Sequence, residues 1–321
     1  MPVISAILEG MKAIQLIEAG STPVLAEADV AKPKAGKGEV LIQVFAAGVT
    51  PTELVWYPTL NTKDGQARLR AVPGHEFSGA IAEVGAGVEG FAAGDEIYGM
   101  SDWFADGATA EYCVTEPSQI ARKPQSLTHA EAATVPIGAL TAWQGLLDRA
   151  KLQAGEHVLI HGGAGAVGVF AIQLARLHGA KVTATASGRN TAIVSQLGAD
   201  NAIDYTATPF EKAVRSVDVI FDAVGGDTLE RSWDLLKPGG RMVTIAADAE
   251  GTSDPRVKEA FFIVEPSQQQ LTAIGDLFNA GKLRTFVDAE VPLANAPAAY
   301  VRKVERKLGY GKVVIVTAQR A

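Results

Sequence analysis

Residues 158–168 read Val-Leu-Ile-His-Gly-Gly-Ala-Gly-Ala-Val-Gly, a short apolar run that ends in Gly-x-Gly-x-x-Gly at Gly163, Gly165 and Gly168. Apolar residues then recur at Val167, Phe170, Ala171, Leu174 and Leu177, which is helical spacing. A second apolar run, Lys181 to Ala186, follows. The order is strand, glycine turn, helix, strand. In that setting glycines let the backbone close tightly on a pyrophosphate, and the helix N-terminus offers free N–H groups and a positive dipole end. Gly163, Ala164, Gly165, Ala166, Val167 and Gly168 are therefore the expected dinucleotide cradle.

The end of the second strand bears on which dinucleotide. An NAD site places Asp or Glu there to hold the ribose 2′-hydroxyl. Here the run is Ala186-Ser187-Gly188-Arg189-Asn190, with no acid. Ser187 can donate a hydrogen bond to a 2′-phosphate and Arg189 can pair with it, whereas a carboxylate would repel it. The expected cofactor is NADP(H).

At 321 residues the chain has room for two domains. Lys plus Arg total 29 and Asp plus Glu 36, a net charge of −7. That mild acidity argues against a nucleic-acid or anionic-membrane partner. The single cysteine, Cys113, rules out an internal disulfide and a multi-cysteine zinc lobe. No run reaches the ~20 apolar residues of a membrane span. The opening lacks the pattern of a secretory leader, and Met11-Lys12-Ala13-Ile14 reads as a second start, making residues 1–10 an extension. A cytoplasmic location is the expectation.

Before residue 135, short strands are punctuated by glycine and proline every 8–15 residues or so, the pattern of a small β-barrel or sandwich. Residues 128–150 turn helical. From Glu156 to about Glu265 strands alternate with helices, with strands expected at 157–161, 181–186, 201–204, 217–222, 241–246 and 261–264. This alternation predicts an α/β fold with a doubly wound parallel sheet. A helix is expected from Pro266 to Gly281, and strands at Thr285–Val291 and Lys312–Val316.

Residues 73–99 begin Pro-Gly-His-Glu-Phe-Ser-Gly and close on Gly94-Asp95 before Gly99. With the nucleotide unit and the segment Ala139-Leu140-Thr141-Ala142-Trp143, this resembles the medium-chain dehydrogenases/reductases from about Met11 to Val316. The resemblance implies a Rossmann domain, residues 136–265, inserted in a GroES-like β-rich catalytic domain, residues 1–135 and 266–321.

Zinc-bearing members of that family carry a Cys before a Thr-Asp pair, the His of Gly-His-Glu, and a later Cys or acid. Here the first position falls at Thr50 and the third near Ile137, while His75 is present. A catalytic zinc takes three protein ligands from thiolate, imidazole and carboxylate, and Thr and Ile supply none. The resemblance is to the zinc-free branch, quinone oxidoreductases and enone reductases that use NADPH. Alternatives are a zinc-dependent alcohol dehydrogenase and a non-catalytic NADPH-binding sensor or structural protein.

Quinones and α,β-unsaturated carbonyls need less polarisation than simple ketones, because charge spreads to oxygen after hydride addition. Thr50 falls where relatives often place Asn near the nicotinamide, and Tyr57 is the candidate hydroxyl donor; these are the expected catalytic residues. Trp56, Trp103 and Phe104 are candidates to wall a flat substrate. The resemblance further implies cofactor contacts at Thr141, Tyr205, Val224, Ala246, Phe262, Ile263 and the basic C-terminal position Lys312. An apolar sheet edge near 241–246 and 261–264, which relatives pair across a two-fold axis, predicts a homodimer.

Overall fold

The computed structural model describes residues 9–20 and 22–317; most of the expected N-terminal extension and the last four residues lie outside them. Fourteen strands form three sheets among the described residues. An antiparallel ribbon pairs β1 (Gly10–Glu18) with β2 (Val24–Ala31). The catalytic sheet contains β3 (Val40–Gly48), β4 (Glu76–Val84), β5 (Glu96–Met100), β6 (Tyr112–Thr115) and β7 (Ile120–Arg122). Five parallel strands build the second domain: β8 (His157–His161), β9 (Lys181–Ala186), β10 (Asn201–Asp204), β11 (Val217–Asp222) and β12 (Leu236–Thr244). The chain then returns, and β13 (Val287–Pro292) and β14 (Lys312–Val316) join the catalytic sheet beside β3. One domain is thus built from both ends of the chain, around a Rossmann sheet.

That parallel sheet runs β10-β9-β8-β11-β12. Its central strands carry near-continuous apolar residues, as strands covered on both faces must. Val158, Ile160, Val182, Ala184, Val219 and Phe221 are buried in one core with Phe170, Ile172 and Leu174 of the helix Gly168–Leu177. Leu159, Ile220 and Met242 face a second cluster on the other side. The helix Gln268–Asn279 is capped by Ser267 and turns Leu271, Ile274 and Phe278 into the first core. Tyr98 of the catalytic sheet donates its hydroxyl to the Leu271 carbonyl, so this helix is wedged between the two sheets.

Two strand expectations are corrected. β12 begins at Leu236, five residues before the expected start, and stops at Thr244, leaving Ile245 and Ala246 outside. Residues 261–264 are no strand. Phe261 makes a single bridge to Thr244, and beyond it the segment leaves the ladder. Its apolar residues fill the core instead, with Phe262 and Val264 both buried.

Candidate functional site

The glycine turn lies where the sheet order reverses. β8 has β9 on one side and β11 on the other, so the chain leaves its C-terminal end at a topological switch point, where α/β sheets bind ligands. Gly162 holds φ +77°, a left-handed conformation suited to glycine. A Cβ on Gly168 would overlap the Gly162 carbonyl oxygen and press on the Gly163 backbone, so only glycine lets the helix start pack so closely. Gly165 is exposed, and a Cβ there would come within 3.2 Å of the Gly162 oxygen. This tight cradle at the start of a ten-residue helix fits a pyrophosphate.

His161 anchors the strand beneath the turn. It is fully buried, with Nδ1 3.2 Å from Thr185 Oγ1 and Nε2 3.0 Å from Ser232 Oγ. Burial, with the Arg231 charge adding to it, lowers its pKa to about 4. The ring is a neutral structural link. Asp222, at the end of β11, is also buried and accepts from the N–H groups of Val224 and Gly225 and the Thr244 hydroxyl. Burial raises its pKa against those hydrogen bonds. It shapes the loop that follows β11.

Around this cradle the expected cofactor residues divide. Ser187 and Arg189 follow β9 in a single 3₁₀ turn, Ser187 half-buried and Arg189 exposed. Tyr205 follows β10 and is exposed. Val224 and Ile263 are exposed beyond the sheet, whereas Ala246 is buried. Phe262 turns inward, packed near Gly145 and beneath the Arg149 guanidinium, so its side chain belongs to the core. Thr141 is buried and its hydroxyl donates to the Ile137 carbonyl, 2.6 Å away.

An acid does lie beside the turn of Ser187 and Arg189. Asp204, at the end of β10, lies against Gly188 and takes the Thr206 hydroxyl at 2.6 Å. That hydroxyl, the Thr206 N–H and the Gly188 N–H hold its pKa down. Sequence reading looked for an acid only at the end of β9. The C-terminal loop closes the same side: Asn190 donates to the Gly309 carbonyl, and the Gly311 N–H donates to Ala164 O.

Facing the cradle, the catalytic domain presents a buried charged cluster that sequence reading missed. The 3₁₀ segment Pro51–Val55 turns Glu53 inward, where its carboxylate lies 2.6 Å from His75 Nδ1 and accepts the Gly74 N–H at 3.1 Å. His75 Nε2 faces the Ala105 carbonyl at 3.3 Å. Both ring nitrogens are thereby engaged. Glu76, fully buried, accepts the Ile137 N–H at 3.0 Å and the half-buried Thr50 hydroxyl at 3.5 Å. Its other contact is Lys312, whose ammonium is buried in an ion pair with it. Burial pulls the Lys312 pKa down to about 7, while the Glu53 carboxylate opposes that fall. Lys312 was expected to reach the cofactor; here its ammonium points into the catalytic domain.

Of the three positions where zinc-bearing members carry ligands, only His75 holds a group zinc takes, and the nearby carboxylates Glu53 and Glu76 are engaged by His75 and Lys312. Thr50 offers a hydroxyl, the Ile137 side chain offers nothing, and His75 is already bonded through both nitrogens. No group of three or more His, Cys, Asp or Glu among the described residues is arranged to hold a metal.

An aromatic wall stands beside the cluster. Trp56 and Trp103 meet edge to face with centroids 5.0 Å apart, and Trp103 lies 5.1 Å from the His75 ring. Tyr57 is exposed and packs edge-on to Phe104. Its hydroxyl lies near Gly65 and has no hydrogen-bond partner among the described residues. Thr50, the four aromatic residues and the glycine turn were singled out from the sequence one by one; the pairing of the aromatics, Glu53, Glu76 and the ion pairs were not.

Comparison with known proteins agrees with this architecture. Residues 36–139 match the alcohol dehydrogenase GroES-like domain, and residues 197–315 match the model described as zinc-binding dehydrogenase. The mitochondrial NAD(P)H oxidoreductase RTN4IP1 of Danio rerio is 32% identical, over 86% of this chain and 83% of its own. The chloroplastic NADPH-dependent alkenal/one oxidoreductase of Arabidopsis thaliana is also 32% identical, over 97% of this chain and 81% of its own. The structure of the quinone oxidoreductase from Coxiella burnetii superposes with a TM-score of 0.85 at 32% identity, covering 97% of this chain and all of that one. Several curated relatives, RTN4IP1 among them, are named mitochondrial, which overturns the cytoplasmic location expected from the sequence. No helix among the described residues is long and apolar enough to cross a membrane.

Proposed function

The chain belongs to the medium-chain dehydrogenase/reductase superfamily, and from that premise we propose that it is an NADPH-dependent reductase of quinones or α,β-unsaturated carbonyls that works without zinc. The observation that carries this reading is the content of the family's metal position: Thr50, Ile137 and a doubly bonded His75 beside the Glu76–Lys312 ion pair.

The cradle from Gly163 to Gly168 would hold the pyrophosphate, and Ser187 with Arg189 the 2′-phosphate. Tyr205, Val224, Ala246 and Ile263 border the same strand ends, Phe262 contributing through its backbone, while Thr141 sits at the helix that faces the turn. A nicotinamide cofactor held in this cradle would supply a hydride. Thr50 orients the acceptor from the catalytic side. Trp56 and Trp103 hold a flat conjugated system, and Tyr57 donates a proton to the oxygen that gains charge. Solvent then reprotonates the exposed phenol. This division suits acceptors whose charge is delocalised, since the chain offers hydrogen bonds and not a Lewis acid.

We further propose a homodimer. β12 is the last strand of the parallel sheet, its outer edge met by Phe261 and Phe262 at Thr244, and an edge left open beyond that bridge is an association hazard unless paired. An isologous extension across a two-fold axis would cover it. Solution scattering at micromolar concentration checks this, with a monomer as the opposing result.

NADPH consumption measured over a panel of quinones and enones, with bound metal quantified on the same sample, tests the main reading. Turnover that survives prolonged chelation, at well under one zinc per chain, is expected. Stoichiometric zinc whose removal abolishes activity would establish the zinc-dependent alternative.

A further inference from the structure

We propose that Trp103 is the latch that closes the cleft between the two domains, and so a positioning residue for the reduction. The loop 101–107 follows β5 in the catalytic sheet. Several bonds root it in its own domain. Ser101 N–H donates to the His75 carbonyl at 2.9 Å, Lys63 pairs with Asp102 at 2.7 Å, and Arg68 bonds both Ala105 O and Asp106. Among the described residues of this loop, Trp103 makes the one hydrogen bond that crosses to the nucleotide domain. Its indole N–H donates to the Val264 carbonyl at 3.0 Å.

The acceptor is not a strand carbonyl. After Phe261 the chain has left the ladder, so Val264 must find its donor elsewhere. Trp103 provides it from one side. From the other, Gln144, where the π-helix Gln144–Arg149 begins, grips the next residue twice: Glu265 N–H donates to Oε1 at 3.0 Å, and Nε2 donates to Glu265 O at 2.7 Å. A π-turn is rare and frequently marks a functional position. The segment is thus clamped between a catalytic-domain indole and a nucleotide-domain amide, directly after Phe262 and Ile263.

Trp103 also packs on Trp56 and His75. One side chain therefore joins the aromatic wall to the segment beside the proposed cofactor site. When it is engaged, the cleft is narrowed and water is excluded from the acceptor. This inference rests on the reading that the reduction occurs in that cleft.

Trp103→Phe keeps an aromatic ring and removes only the donor and one ring. Hydrogen exchange of the free chain gives a readout independent of turnover. Losing one neutral hydrogen bond should speed exchange of the amides at 262–265 by roughly 2- to 12-fold. In the reductase assay kcat/KM for the acceptor should fall by a similar factor, while NADPH affinity stays unchanged. Unaltered exchange at 262–265 would overturn the latch. A second measurement needs no variant to fold: in the unmodified chain labelled with ¹⁵N-tryptophan, the Trp103 indole proton should exchange slowly with water. Exchange at the rate of an open indole would also overturn it. If the exchange effects appear but the unmodified chain reduces no acceptor, the bridge between the domains stands, while the reductase reading and with it the positioning role fail.

Discussion

Lys312 is buried against Glu76, 236 residues earlier in the chain. The Glu76 carboxylate also takes the Ile137 N–H, so one buried group ties β14, β4 and the helix Pro136–Trp143 together. The first and second belong to the catalytic sheet, and the third leads into the nucleotide domain. A buried ion pair is thereby built beside His75 and Ile137, two of the positions that the family resemblance assigns to metal ligands.

Breaking this pair from one side leaves an uncompensated buried charge, which typically costs ~3–5 kcal/mol. Lys312→Met should lower unfolding free energy by about that amount. Combining it with Glu76→Gln should recover a large part, since the amide still accepts from Ile137 while carrying no charge. Urea denaturation of the two single variants and the double variant measures both effects. Equal stability of Lys312→Met and the unmodified chain would show that the ammonium does not compensate Glu76.

Cofactor choice is the second prediction. Arg189 is exposed after β9, beside the C-terminal loop at Gly309. A charge-assisted hydrogen bond to a 2′-phosphate contributes about 1.5–3 kcal/mol. Arg189→Ala should weaken NADPH binding by that amount and leave NADH nearly unchanged. Fluorescence titration of both cofactors gives the comparison. Tighter NADH than NADPH in the unmodified chain would favour a hydroxyl-binding role for Asp204, the acid one strand over.

A pH effect follows from His161. Burial lowers its folded pKa to about 4, below the ordinary 6.5. The unfolded chain therefore binds more protons between these values, and stability contributed by the neutral ring is complete above pH 6.5 and lost as pH falls toward 4. From pH 7 to pH 5 the loss from this residue alone is about 2 kcal/mol. His161→Gln cannot titrate there. Urea curves at the two pH values should show the unmodified chain losing about 2 kcal/mol more than the variant. Parallel losses would assign the acid sensitivity to other groups.

Features written locally in the sequence appear where expected. β8, β9, β10 and β11 match the expected residues, because each is a short segment with apolar residues at its centre, closed by a glycine or polar turn. β12 was misread at its start because Pro238, Gly239 and Gly240 look like a turn; an edge strand with an irregular register tolerates them. The run 261–264 reads as a strand because apolar character reports burial and not pairing. In the site, the glycine turn was legible because close approach allows no other residue at Gly168. Glu53 and Glu76 were not, since a charged residue reads as surface until its partner is known. For Glu76 that partner, Lys312, lies on a strand from the far end of the chain.

The proton donor is the most exposed point of the proposed reaction. Tyr57 stands on the aromatic wall beside Phe104, half in solvent, with a hydroxyl that bonds no described residue. Such a group is available to a substrate oxygen without breaking an existing bond. Tyr57→Phe keeps the ring contact and removes only the donor. A positioned acid contributes about 10²–10⁴-fold, so kcat with a quinone or enone should fall by about 10²-fold or more, with NADPH affinity intact. A loss below about threefold would place protonation with solvent and leave Tyr57 as part of the wall, because a general acid that matters to the rate cannot be removed so cheaply.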